Sequence, residues 1–419
     1  MNLSLTLPKL EIPWLLFFAV AAFQLRKHGK LSRAVAGGLH AALGYCMVCI
    51  GAAVTPEATG ALSRLMQSAF GIRGGVMSSE VFGAALLLRY GAEGIAVMLL
   101  AFGVNLLLAR YTRLKGVFLT AHHLLYLALL TVALMVGVYE LPLMLVIPLG
   151  AAVLGAYAWL SVAATRTTIE RATGMPDVGM ANSSSEAALI GRFLGSAAGS
   201  RGREYASPER RGGSAMKSIP LVAAGSTLIA YIALCACAGV EQSRAILGDG
   251  FLLRACLLRS LLYGAQIALL LYGIRMLLTS IVELFWSAAD GFVRDQWRGL
   301  DVSIMIGHMP RAWEEGFWAS CIGGLLATVI MILLRIPYVP LMSPTSFYFS
   351  GGLAGVCGNA YGKRIGARLA GLVTGVLATL AVGLMAAAMQ NDLGVIFGET
   401  QYGIYGLLLE GLCRLLKWI

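Results

Sequence analysis

Charged residues are scarce in this chain of 419 residues: only 13% are Asp, Glu, Lys or Arg, whereas 58% are hydrophobic. A soluble globular protein has about a quarter of its residues charged, so the composition excludes an ordinary soluble protein. Apolar runs long enough to cross a bilayer recur along the whole chain, and no polar stretch is long enough for a second folded domain. The sequence therefore predicts one all-α polytopic membrane domain, residues 1–419.

Patterns for metal or disulfide chemistry are also lacking. The eight cysteines are scattered and lie mostly in apolar runs. Cys46 and Cys49 have a CxxC spacing, but no second pair and no suitably spaced histidines accompany them. We therefore expect no metal site, no cofactor and no disulfide framework. We attribute the net charge of +11 to basic cytoplasmic loops and not to binding of nucleic acid.

The charges between the apolar runs predict the topology. Basic residues follow the first, third and fifth runs, namely Arg26, Lys27, Lys30 and Arg33, then Arg110, Arg113 and Lys115, then Arg166 and Arg171. Basic loops of membrane proteins face the cytoplasm, so this alternation predicts about eleven crossings. The N-terminus is then outside and the C-terminus cytoplasmic.

Two polar insertions interrupt the apolar runs. The first lies within 165–218 and contains an NSSSE stretch at 182–186; the second, 283–319, is rich in acidic residues. Their positions predict a first repeat at about 12–198, a basic linker at about 199–217 and a second repeat at about 218–419. Because transporters built from two repeats bind substrate on broken or re-entrant helices between them, these insertions are the candidate site.

Several motifs resemble a known family of sugar permeases. Residues 299–308 (GLDVSIMIGH) resemble the GLD-x5-GH pattern of galactitol-type IIC subunits of the phosphotransferase system. Residues 119–123 (LTAHH) resemble the LTGH stretch of ascorbate-type IIC subunits, in which the histidine binds sugar. Looser matches lie at 38–40, 104–105 and 273–276, and all the matches have the same order along the chain as in the family. The chain is thus similar to the ascorbate–galactitol superfamily.

This resemblance implies a particular function and assembly. Such IIC subunits are homodimers of eleven-helix protomers with re-entrant hairpins in the bacterial inner membrane, and they move substrate as elevators. A separate IIB protein, itself supplied by IIA, phosphorylates the sugar or sugar alcohol, so the permease takes part in catalysis only together with IIB. The alternatives are an uncoupled or ion-coupled carbohydrate transporter of the same fold, and a membrane sensor or scaffold that transports nothing.

The resemblance also implies the site residues. We expect Asp301 to bind a sugar hydroxyl and to accept its proton as the catalytic residue; its alternative role is a helix cap. The other expected substrate ligands are His122, Asn182, Ser183, Ser184 and His308. The alternative for the stretch at 182–185 is capping of a re-entrant loop, and for His308 it is orientation of Asp301 or a structural hydrogen bond.

Two neighbouring residues are expected to have structural roles. His123 should pack inside the protein, because adjacent helical residues point about 100° apart. Arg275 lies inside an apolar run and should neutralise a nearby acid, for which Glu283 about two turns on is the candidate; its alternative role is ligand binding.

Two departures from the family bear on the substrate. Relatives usually carry a histidine where this chain has Asn182, and the ascorbate type has a glutamine where this chain has Tyr126. An amide can hydrogen-bond to sugar hydroxyls but does not titrate as an imidazole does. Galactitol and ascorbate are therefore both left open as substrates.

Overall fold

Long helices make up most of the chain. The computed structural model describes residues 11–182, 184–199, 219–341, 343–389 and 395–418. The helices are α1 Glu11–His28, α2 Leu31–Ala53, α3 Thr55–Phe70, α4 Ser79–Tyr111, α5 Ala121–Val132, α6 Leu143–Thr173, α7 Ser185–Ala198, α8 Ile219–Ala238, α9 Val240–Leu247, α10 Leu252–Phe292, α11 Pro310–Leu333, α12 Pro344–Met389 and α13 Thr400–Trp418. A π-helical turn, Ala133–Val138, extends α5, and a 3-10 turn, Val302–Met305, precedes α11.

Eight helical segments of the described chain are long and apolar enough to cross a membrane: Leu31–Phe70, Ser79–Tyr111, Ala121–Val138, Leu143–Thr173, Ile219–Ala238, Leu252–Phe292, Pro310–Leu333 and Pro344–Met389. The prediction of an all-helical, multi-pass membrane protein is thereby confirmed. The longest segment, α12, is broken at Gly362 and Lys363, where Lys363 has a φ of +50°. The break divides α12 into two arms, 344–361 and 364–389.

Within the described residues, six short strands, which the sequence did not predict, interrupt the helices. They are β1 Arg73–Met77, β2 Gly116–Phe118, β3 Val178–Met180, β4 Trp297–Leu300, β5 Tyr338–Leu341 and β6 Val395–Ile396. They form two parallel sheets, a first sheet in the order β5-β1-β6 and a second sheet in the order β2-β4-β3. Strands of two to five residues are too short for an alternating pattern to stand out in an apolar sequence.

The two sheets have equivalent strand orders. Replacing β1 by β4, β5 by β2 and β6 by β3 converts the order of the first sheet into that of the second. All four pairings, β1 with β5, β1 with β6, β2 with β4 and β3 with β4, join a strand before the predicted linker to a strand after it. The two halves of the chain therefore complete each other's sheets.

Side chains satisfy the open edges of the second sheet. The buried Asn105 amide donates to Gly116 O and accepts from Phe118 N, both at 2.9 Å. At the opposite edge, Thr165 Oγ1 accepts from Met180 N at 2.9 Å. Inside a membrane protein such backbone groups have no water to bind, so these contacts stabilise the short strands.

The second sheet packs closely on α6. A methyl group on Gly299 would lie 2.5 Å from Val162 Cγ2, and one on Gly179 would lie 2.9 Å from Val162 Cγ1. These separations are shorter than carbon atoms can approach without strain, so both positions require glycine. The packing fixes the second sheet, and with it the residues that follow its strands.

Candidate functional site

A cavity of about 470 Å³ lies between the two sheets. Within a sheet of parallel strands, the residues that follow the strands gather at the carboxyl end of the sheet. Its polar lining comes from both sheets and from α10: Ser79 and Glu80 after β1, Glu399 after β6, His122, His123 and Tyr126 after β2, Asp301 after β4, and Arg275 and Thr279 on α10. Residues next to the helix breaks of both halves of the sequence thus line the same cavity.

Asp301 caps the turn that follows it and also lines the cavity. Its Oδ1 caps the 3-10 turn by accepting from Val302 N at 2.7 Å, and its Oδ2 accepts from Ser303 Oγ at 3.2 Å. Burial raises the pKa of Asp301, but the hydrogen bond from His123 and the neighbouring donors outweigh burial and hold the pKa well below its usual range. The carboxylate therefore stays ionised and faces the cavity.

Both histidines line the cavity, so the prediction that His123 only packs inside the protein was wrong. The two rings have centroids 4.0 Å apart, and His123 Nε2 lies 3.4 Å from Asp301 Oδ1. Both residues belong to the first turn of α5, and helical side chains tilt towards the N-terminus. The rings converge there, although their Cα–Cβ bonds diverge around the helix.

The same three side chains have the donor set of a metal site. One ligand atom each from His122, His123 and Asp301 lie within 4.8 Å of one another. Two imidazoles and a carboxylate are ligands that Zn²⁺ accepts, and the cavity would supply its open position. The sequence offered no such spacing, because His122 and Asp301 are far apart along the chain.

Asn182 and Ser184 follow β3 at the carboxyl end of the second sheet, but they do not line this cavity. Asn182 Oδ1 accepts from Ser184 N at 3.3 Å, and Ser184 Oγ lies 2.9 Å from Ser350 Oγ on α12. Their hydrogen bonds build the turn into α7. Ser183 lies outside the described residues.

His308 is also separate from Asp301. It follows the 3-10 turn, its N–H donates to Met305 O at 3.1 Å, and it does not contribute to the lining of the cavity. The GLD and GH parts of the motif are thus placed apart by the turn between them.

Glu80 and Glu399 are lining residues that the sequence analysis missed. Val76 and Val395 pair across β1 and β6, and each is followed by a glutamate four residues later. Glu399 has a φ of +67°, in the left-handed region that a residue with a Cβ seldom adopts. The shared V-x-x-x-E spacing in the two halves was the signal available in the sequence.

The predicted pairing of Arg275 with Glu283 was wrong. Glu283 contacts Lys27 Nζ and His28 Nε2, both at 2.9 Å, and accepts from Gln24 Nε2 at 2.7 Å. These three partners lie on α1. Eight residues along a helix correspond to about 12 Å, which is too far for direct contact, and Arg275 instead lines the cavity.

Comparison with protein families identifies the chain. The model of the EIIC-GAT family, described as the PTS system sugar-specific permease component, matches residues 12–407. The chain belongs to this family. It is therefore the sugar permease component of a phosphotransferase system, which works with a IIB partner, and the predicted resemblance and function are confirmed. No significant match was found among curated protein sequences.

Proposed function

We propose that the cavity between the two sheets is the sugar-binding site of this permease. The main support is the convergence of both sheets on it: Glu80 and Glu399 come from one side, and His122, His123 and Asp301 from the other. Carboxylates and imidazoles supply the acceptors and donors that hydroxyl groups require. Arg275 adds a fixed cation to the lining.

Asp301 is the proposed proton acceptor. Its ionised carboxylate accepts a hydrogen bond from the sugar hydroxyl that will be phosphorylated. As the phosphoryl group moves from IIB to that hydroxyl oxygen, the hydroxyl proton passes to Asp301. His122, Glu80 and Glu399 hold other hydroxyls of the sugar and so orient the reacting one.

Asn182, Ser183, Ser184 and His308 remain candidate ligands in a second conformation of the transporter. Asn182 and Ser184 follow β3, beside the strand that precedes Asp301. A shift of the α7 turn would bring them towards the sugar.

The proposed architecture is an eleven-helix, two-repeat elevator that forms a homodimer. Counting the arms of α12 separately, and adding α1 and α13 to the eight segments above, gives eleven helices. The equivalent strand orders of the two sheets support repeats at about 12–198 and 218–419. The basic loops support a cytoplasmic C-terminus and an N-terminus outside the inner membrane.

Uptake assays test the assignment of the site. Cells that carry this permease with its IIA and IIB proteins are supplied with labelled galactitol, L-ascorbate and a panel of other hexitols and hexoses. We expect one compound to accumulate as its phosphate, and Asp301→Asn to abolish that accumulation while the protein still inserts. Wild-type uptake by Asp301→Asn would refute the assignment of Asp301.

A further inference from the structure

A chain of three side chains leads from the buried Tyr402 to two residues that line the cavity, His123 and Asp301. Tyr402 Oη lies 3.4 Å from His123 Nδ1, and His123 Nε2 lies 3.4 Å from Asp301 Oδ1. Tyr402 is fully buried, and its ring stacks on Phe397 with centroids 4.5 Å apart. The tyrosine is thus held firmly, and the imidazole lies between it and the carboxylate.

The chemistry of the three groups fixes the direction of the hydrogen bonds. An ionised carboxylate only accepts, so His123 Nε2 must carry a proton and donate it to Asp301. In the neutral imidazole Nδ1 is then an acceptor, and the Tyr402 hydroxyl donates to it. A neutral His123 in this arrangement has one tautomer, protonated at Nε2, whereas an imidazolium would donate from both ring nitrogens.

The chain also connects the two sheets. Tyr402 lies at the start of α13, just after β6 of the first sheet, whereas His123 and Asp301 follow β2 and β4 of the second sheet. A second hydrogen bond, 2.8 Å between Tyr405 Oη and Thr131 Oγ1, joins α13 to α5 nearby. Asp301 is therefore tied through His123 to the opposite side of the site.

We propose that His123 is a positioning residue: held by Tyr402, it fixes the orientation of the Asp301 carboxylate. The proton acceptor is then correctly placed only when the first sheet is closed against the second. This inference rests on the proposed function of the cavity. The other charged or titratable residues that line the cavity beside His123 and Asp301 are His122 and Tyr126 on α5, Glu80 on α4, Glu399 beside α13 and Arg275 on α10.

The first experiment needs no sugar. The protein is labelled with ¹⁵N-histidine and placed in lipid nanodiscs, and His123 is assigned by its loss in His123→Gln. We expect the Nε2-protonated tautomer in the wild type and a mixture of tautomers in Tyr402→Phe. Tyr405→Phe is the matched control, because it removes a hydroxyl from the same helix outside the chain, and it should leave the tautomer unchanged.

The second experiment measures uptake of the compound found with the sugar panel. His123→Leu removes both hydrogen bonds and should lower Vmax by about 100-fold with little change in KM, the size of effect typical of a mispositioned proton acceptor. His123→Gln, which can still donate to Asp301, should recover at least about a tenth of the wild-type Vmax.

The outcomes separate this inference from the proposed function. An Nδ1-protonated His123 in the wild type, or a tautomer insensitive to Tyr402→Phe, would overturn the chain whatever the uptake results. Wild-type Vmax in His123→Leu would overturn the positioning role. Wild-type uptake by Asp301→Asn would refute the proposed function of the cavity, while the tautomer would still decide whether His123 holds Asp301.

Discussion

The first and second sheets have equivalent strand orders, but they supply the cavity with different chemistry. The first sheet contributes Glu80 and Glu399, which can only accept hydrogen bonds when ionised. The second contributes His122, His123 and Asp301, a set that can hold and move a proton. Under the proposed function, one side of the site holds the sugar while the other takes part in its reaction.

The largest effect is expected from the second sheet. Asp301→Asn should lower uptake by about 100-fold or more, because the amide cannot accept the hydroxyl proton. Asp295→Asn is the matched control, since it is the same change on an exposed residue of the same insertion, and it should transport normally. Equal losses in the two variants would mean that general damage to the insertion, and not the chemistry of Asp301, stops uptake.

Packing provides a second test of the difference between the sheets. Gly299→Ala places a methyl group against Val162 and should destabilise the protein by about 1–3 kcal/mol, seen as a lower unfolding temperature in detergent. Gly307→Ala is the control, because nothing lies near the added methyl group. If the two variants melt alike, the second sheet is not rigidly fixed on α6.

The first sheet should affect binding more than turnover. Glu80→Gln and Glu399→Gln each replace a charged acceptor by a neutral one, which is worth about 1.5–3 kcal/mol per hydrogen bond to a hydroxyl. Uptake kinetics should show KM raised by about 10- to 100-fold and Vmax nearly unchanged. A loss of Vmax equal to that of Asp301→Asn would remove the proposed division between the two sides.

The smallest effect is expected at His308. In the conformation described it does not line the cavity, so a contact confined to a second conformation should let His308→Asn raise KM by about twofold at most. A larger rise in KM would contradict this placement of His308.

The sequence predicted the fold class and part of the site because those features have local signals. Apolar runs revealed the membrane helices, and short motifs around His122 and Asp301 pointed to two side chains that do line the cavity. The strands went unpredicted because each pairs with a partner far away in sequence and holds too few residues to show a period. The direction of His123 depends on the helix start, which spacing alone does not specify.

The missed carboxylates teach the same lesson. Glu80 and Glu399 are brought together by the pairing of β1 with β6, a contact between the two halves of the chain. Arg275 was assigned a partner by proximity along one helix, although helix α1 supplied the actual partners of Glu283. Long-range packing decided each of these positions.

The interlocked strands have a consequence for biosynthesis. Since every strand pairing within the described residues joins the two halves, the first half enters the membrane with β1, β2 and β3 lacking these strand partners. The second sheet closes only when β4 has left the ribosome, and the first only when β5 and β6 follow. We expect the N-terminal half expressed alone to be degraded, and the two halves expressed together as separate polypeptides to protect each other.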